Sequence, residues 1–141
     1  MATVHLTRVV SFAAAHRYYR PEWSSEQNVE AFGKCANEHG HGHSYECHVT
    51  VSGQPDADTS MIMDLCELDA ILHAEVIEPF DHHHINHDVR EFAFGARVPT
   101  SEALAVYIWT RIAPRLPEGV RLTRVQVHED RTLYAEYSGE P

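Results

Sequence analysis

Residues 39–53 read HGHGHSYECHVTVSG. His43, Tyr45, Cys47, Val49 and Val51 fall on one parity, and Ser44, Glu46, His48 and Thr50 on the other. A period of two puts these sets on opposite faces, so 43–53 predicts a strand with one apolar face. The same spacing lets His41 and His43 point at one metal ion. The intervening glycines let the backbone approach closely and leave the space free of other side chains. Two ligands do not complete a site, because a catalytic zinc takes three from the protein and keeps one position open. On the residues alone, a metal pair and a plain polar loop both stand.

Towards the N-terminus, residues 4–13 (VHLTRVVSFA) are rich in β-branched and aromatic types and predict another strand. Phe12, Ala14 and His16 share one parity. If the two strands pair, His16 meets His41 and His43 as a third ligand. Residues 17–40 read as a long loop with at most one helical turn, and such loops are usually functional or mobile. Cys35 lies in it, six residues before His41. A thiolate near a metal or a basic group has a lowered pKa and serves as nucleophile or base. Cys47 and Cys66 read as small buried residues.

Towards the C-terminus, GQPDADTS is turn chemistry, and MIMDL (61–65) reads as a short returning strand. Leu68, Ile71, Leu72 and Val76 mark an amphipathic helix over 66–78, with Pro79 just beyond. Residues 80–99 read as a second polar loop. Its Asp81-His82 is either an oriented acid–base pair or two solvated side chains. Thr100 or Ser101 caps a second helix, Glu102 sits in its first turn, and Leu104, Ile108 and Ile112 form its stripe. Residues 121–128 alternate again, and TLYAEYSG closes as a last strand. Glu129, at the strand end, reads as an ordinary solvent-facing acid. Segregated strands and helices predict an α+β fold with an antiparallel sheet.

The chain has 141 residues, which fits one domain over 1–141. Its 11 basic and 21 acidic residues give a net charge of −10, which disfavours nucleic acid. A small anionic ligand needs only a local basic pocket. The three cysteines form no CxxC pair, so no disulfide framework and a reducing compartment are expected. Neither a signal peptide nor a long apolar run is evident, so a soluble, cytoplasmic protein is expected.

The ordered set SFAAAHR, FGKC, GHGHSY, MIMDL, PFDHHHIN, PTSEALAVYIW and VQVHED resembles the 6-pyruvoyltetrahydropterin synthase family and its relatives, the 6-carboxytetrahydropterin synthases. The resemblance runs through nearly the whole chain. It implies the tunnelling fold: a four-stranded antiparallel sheet with two helices on one face, assembled into an oligomeric barrel. The implied assembly is a homohexamer of two trimers, with active sites between subunits. It also implies zinc held by His16, His41 and His43, Cys35 as the catalytic thiol, and Asp81 and His82 as its partner pair. Glu129 would grip the pterin's amino-pyrimidine edge, with Thr100, Ser101 and Glu102 lining the pocket.

The implied reaction is zinc-dependent conversion of 7,8-dihydroneopterin triphosphate to 6-pyruvoyltetrahydropterin, in tetrahydrobiopterin biosynthesis. Lys34, Arg17 or a neighbouring subunit would face the triphosphate. Five residues separate Cys35 from His41, as in the pyruvoyl-forming branch. The carboxy-forming branch, which serves queuosine and deazapurine synthesis and releases acetaldehyde, usually has three. Glu38 lies where a folate-linked branch uses a glutamate to form a hydroxymethyl pterin. Three products therefore stay open, beside a non-catalytic pterin- or zinc-binding protein.

Overall fold

A computed structural model describes residues 2–140. Its long strands are β1 (Val4–His16), β2 (His41–Gly53), β4 (Arg121–Asp130) and β5 (Leu133–Tyr137), each antiparallel to the long strands beside it. A two-residue strand, β3 (His83–His84), runs parallel to the end of β1, giving the order β3-β1-β2-β4-β5. Four of the five strands read from the sequence are present, the one at 61–65 is not, and β3 is an addition. Two residues carry no periodicity, so no sequence pattern announces β3.

The helices are α1 (Ser25–Phe32), α2 (Leu65–Leu72), α3 (Glu78–Phe80), α4 (Ile85–Asp88) and α5 (Ser101–Ile112). A π-turn, His73–Ile77, joins α2 to α3, so helical chain continues to Phe80 and includes Pro79. Leu68, Ile71, Leu72 and Val76 are all buried, as their spacing predicts. With Leu104, Ile108 and Ile112 of α5 they cover one sheet face, where Val49, Val51, Val125 and Val127 are buried. Glu75 is clamped to α5 and the turn after it: Arg111 Nε donates to Oε1 at 3.1 Å and an Arg115 N–H to Oε2 at 3.0 Å.

Three local expectations change. MIMDL forms no strand; Asp64 instead caps α2, accepting the Cys66 N–H at 2.8 Å. The loop 17–40 holds an eight-residue helix, α1, closed by a reciprocal Ser24–Gln27 capping box. Cys66 is exposed, whereas Cys47 is fully buried. No helix is long and apolar enough to cross a membrane, among the described residues.

Candidate metal centre and active site

β1 and β2 pair in a register that sets Phe12 opposite Tyr45, Ala14 opposite His43 and His16 opposite His41. Opposed residues on adjacent strands share a face. His16, His41, His43 and Tyr45 therefore project to the helix-covered side, at one end of the sheet. β4 pairs with β2 through Cys47 and Val127, and its parity carries Glu129 to the same place. One ligand atom from each of His16, His41, His43 and Glu129 lies within 4.8 Å of the others.

The electrostatics suit a cation. His43 Nε2 lies 2.7 Å from Glu129 Oε1, yet makes no directed hydrogen bond. That leaves His43 Nε2 beside a carboxylate oxygen but without a hydrogen-bond partner, as His16 Nε2 also is. His16 is fully buried, and its Nε2 has no partner. Burial, then the neighbouring His41 and His43, pushes its pKa down to about 3. Burial and His43 lower His41 as well, against Glu129. Both imidazoles are thus neutral with lone pairs available, the state a metal ligand needs. An orphaned nitrogen in a dry site, three imidazoles and a carboxylate fit a divalent metal such as zinc.

Cys35 lies beside this cluster, in the 3-10 turn Gly33–Ala36. Two hydrogen bonds fix the turn to the chain just after His16: Tyr18 N–H to the Cys35 carbonyl at 2.8 Å, and Arg17 Nε–H to the Ala36 carbonyl at 2.9 Å. Burial and the Glu129 charge raise the thiol, opposite to the lowering expected near a cation. That follows from burial first and then from Glu129, the charge nearest the thiol in this set.

Glu129 is only 12 % exposed, so it is no ordinary surface acid. The alternation of β4 placed it, but only the pairing with β2 brings it to the histidines. Ser101 Oγ–H reaches its other oxygen at 3.4 Å. Thr100 acts as the cap of α5, accepting the Ala103 N–H at 3.1 Å, and Glu102 is exposed.

Asp81 and His82 form their own pair: Asp81 Oδ2 is 3.1 Å from His82 Nδ1. Asp81 Oδ1 accepts the Ala13 N–H at 2.9 Å, and that bond chiefly holds its carboxyl below the usual range. His82 is held at a positive φ of 61° with its side chain 82 % exposed. No hydrogen bond or ion pair joins the pair to Cys35 or the cluster, among the described residues. Glu38 is exposed and makes neither kind of contact there. Tyr45 and Tyr18, absent from the expected site, both lie at it. Tyr45 Oη is 2.8 Å from His16 Nδ1, and the Tyr18 ring is 4.7 Å from that of His16. Tyr45 follows His43 at strand spacing, which is the signal that could have found it.

Residues 5–140 match the family model described as 6-pyruvoyl tetrahydropterin synthase. The human 6-pyruvoyl tetrahydrobiopterin synthase is 42% identical over 135 residues, spanning 96% of this chain and 91% of that protein. The 6-carboxy-5,6,7,8-tetrahydropterin synthase of Aquifex aeolicus is 28% identical over 162 residues, spanning 96% and 98%. The Caenorhabditis elegans 6-pyruvoyl tetrahydropterin synthase structure superposes with a TM-score of 0.92 at 33% identity, covering 99% and 98% of the two chains. With that agreement across sheet, helices and nearly full length, the chain belongs to the 6-pyruvoyl tetrahydropterin synthase family.

Proposed function

We propose that this chain is a lyase converting 7,8-dihydroneopterin triphosphate to 6-pyruvoyltetrahydropterin with elimination of triphosphate. One observation carries the reading: three neighbouring strands converge His16, His41, His43 and Glu129 beside Cys35 in a member of this family. We read the whole of 1–141 as one pterin-synthase domain. Zinc held by the three histidines would supply Lewis-acid polarisation of the substrate's side-chain hydroxyls. Three protein ligands leave Glu129 free to accept N–H groups from the amino-pyrimidine edge. Ser101 steadies its second oxygen, while Thr100 and Glu102 sit beside it at the start of α5.

Cys35 moves one proton at the substrate side chain, and His82, oriented by Asp81, moves another. Arg17 packs over Tyr19 with its guanidinium carbon 3.8 Å from the ring centre and forms no ion pair with a carboxylate among the described residues. Arg17, next to His16, and Lys34, next to Cys35, are the basic groups offered to the triphosphate. The exposed dyad supports an assembly in which a neighbouring copy completes each site, and we read that assembly as a homohexamer in the cytoplasm.

The pyruvoyl product is favoured over the carboxy product by the 42% identity to the human enzyme against 28% to the Aquifex aeolicus one. The five-residue gap before His41 agrees, and the solvent-facing Glu38 gives the hydroxymethyl route less support. The test is mass spectrometry of products from zinc-loaded protein and 7,8-dihydroneopterin triphosphate. A pyruvoyl pterin is expected. A carboxy pterin with acetaldehyde, or a hydroxymethyl pterin, would replace this reading by the corresponding branch, and zinc binding without turnover by a binding protein.

A further inference from the structure

The cluster has a second layer that the reaction does not name. His16 Nε2 has no partner and lies 4.0 Å from Glu129 Oε1, and its other ring nitrogen faces Tyr45 Oη at 2.8 Å. Both residues are sealed: His16 is 0 % and Tyr45 1 % exposed. The hydroxyl has little choice of position, because the Tyr45 ring stacks on Phe12 at 4.8 Å and 12°. Phe12 in turn packs on Phe80 at 5.4 Å. No water replaces a lost partner in such a place at small cost.

A neutral imidazole carries one N–H, and here it has two possible locations. If Tyr45 donates to Nδ1, the ring hydrogen sits on Nε2, points into the cluster and blocks coordination. If Nδ1–H donates to Tyr45 Oη, Nε2 presents a lone pair to the cluster. We infer that Tyr45 is a positioning residue for the metal centre: its oxygen accepts the His16 Nδ1–H and so makes Nε2 the coordinating atom. This rests on the metal reading of the site. Partners of this kind on the far nitrogen fix tautomer and ring orientation, and their removal typically weakens metal binding about 10- to 100-fold.

Tyr45→Phe tests it, since it keeps the ring stack and removes only the oxygen. Zinc affinity, by competition with a chromophoric chelator, is expected to fall about 10- to 100-fold. The melting temperature of the metal-free chain is expected to fall by the cost of one unpaired buried nitrogen, so the zinc affinity, not stability, reads the assignment. Nitrogen NMR of histidine-labelled, zinc-loaded wild-type protein is expected to show His16 protonated at Nδ1. This second measurement does not depend on the variant folding. Tight and equal zinc binding by both chains, or an unprotonated Nδ1, overturns the assignment alone. A wild-type chain that takes up no zinc overturns the metal reading and this assignment together.

Discussion

At the residue scale the site separates holding a metal from moving protons. Cys35 is outside the converging quartet, so we predict that Cys35→Ala keeps zinc at wild-type stoichiometry while kcat falls about 100-fold or more. His41→Ala should lose the metal itself. A metal assay beside a rate measurement separates the two, and unchanged turnover in Cys35→Ala would remove the thiol from the mechanism. His16 also gives the metal-free chain a pH signature. Its folded-state pKa, about 3, lies below its ordinary value of 6.5. The folded chain then binds fewer protons than the unfolded one between those values. This contribution to stability is whole above pH 6.5 and is lost as pH falls towards 3, by up to about 1.4 kcal/mol per pH unit. Urea titrations of metal-free protein at pH 7.5 and 5 read this loss, and His16→Gln should flatten it.

At the element scale, much of the site was legible because strand parity is strict. Spacing alone puts His41 and His43 on one face, and His16 joins them on the condition that β1 and β2 pair, which they do, with His16 opposite His41. Glu129 was not legible, since its position depends on β2 pairing with a strand far along the chain. Helix α1 was missed because its apolar periodicity is weak, although Ser24-x-x-Gln27 marks its start. Its buried Asn28 is satisfied by the Arg20 backbone rather than by apolar packing. Gly40 shows what the entrance to β2 demands. It has φ +71°, and a Cβ there would sit 2.5 Å from the His16 carbonyl oxygen and 3.2 Å from His84 Nε2. We predict that Gly40→Ala costs about 2 kcal/mol or more and weakens zinc binding by displacing the strand that carries His41. Thermal melts with and without zinc measure both effects.

At the scale of the molecule, the sheet leaves both outer sides open. Among the described residues β5 has β4 as its one neighbour, and β3 covers β1 only at Ala14 and Ala15. Unpaired strand edges invite further strands. No hydrogen bond or ion pair links the dyad at Asp81 and His82 to the thiol it is proposed to serve, among the described residues. Copies of the chain would resolve both features. We predict that Cys35→Ala and His82→Ala, each nearly inactive, regain a fraction of the wild-type rate when unfolded together and refolded as mixed assemblies. No recovery, in mixtures shown by mass to contain both chains, would place thiol and dyad in the same subunit.

The pairing of His16 with His41 has a mechanical consequence. These two ligands stand at the two feet of the segment 17–40, which carries Cys35 in a turn bonded back to the chain just after His16. A metal bridging them is a removable cross-link that closes this segment on itself, as a disulfide closes a loop. Chelation should therefore slacken one segment before it melts the sheet. Limited proteolysis of the chelated protein should cut first within 17–40, and zinc should restore resistance. Metal content would then set the tension on the thiol's tether as well as the charge beside it.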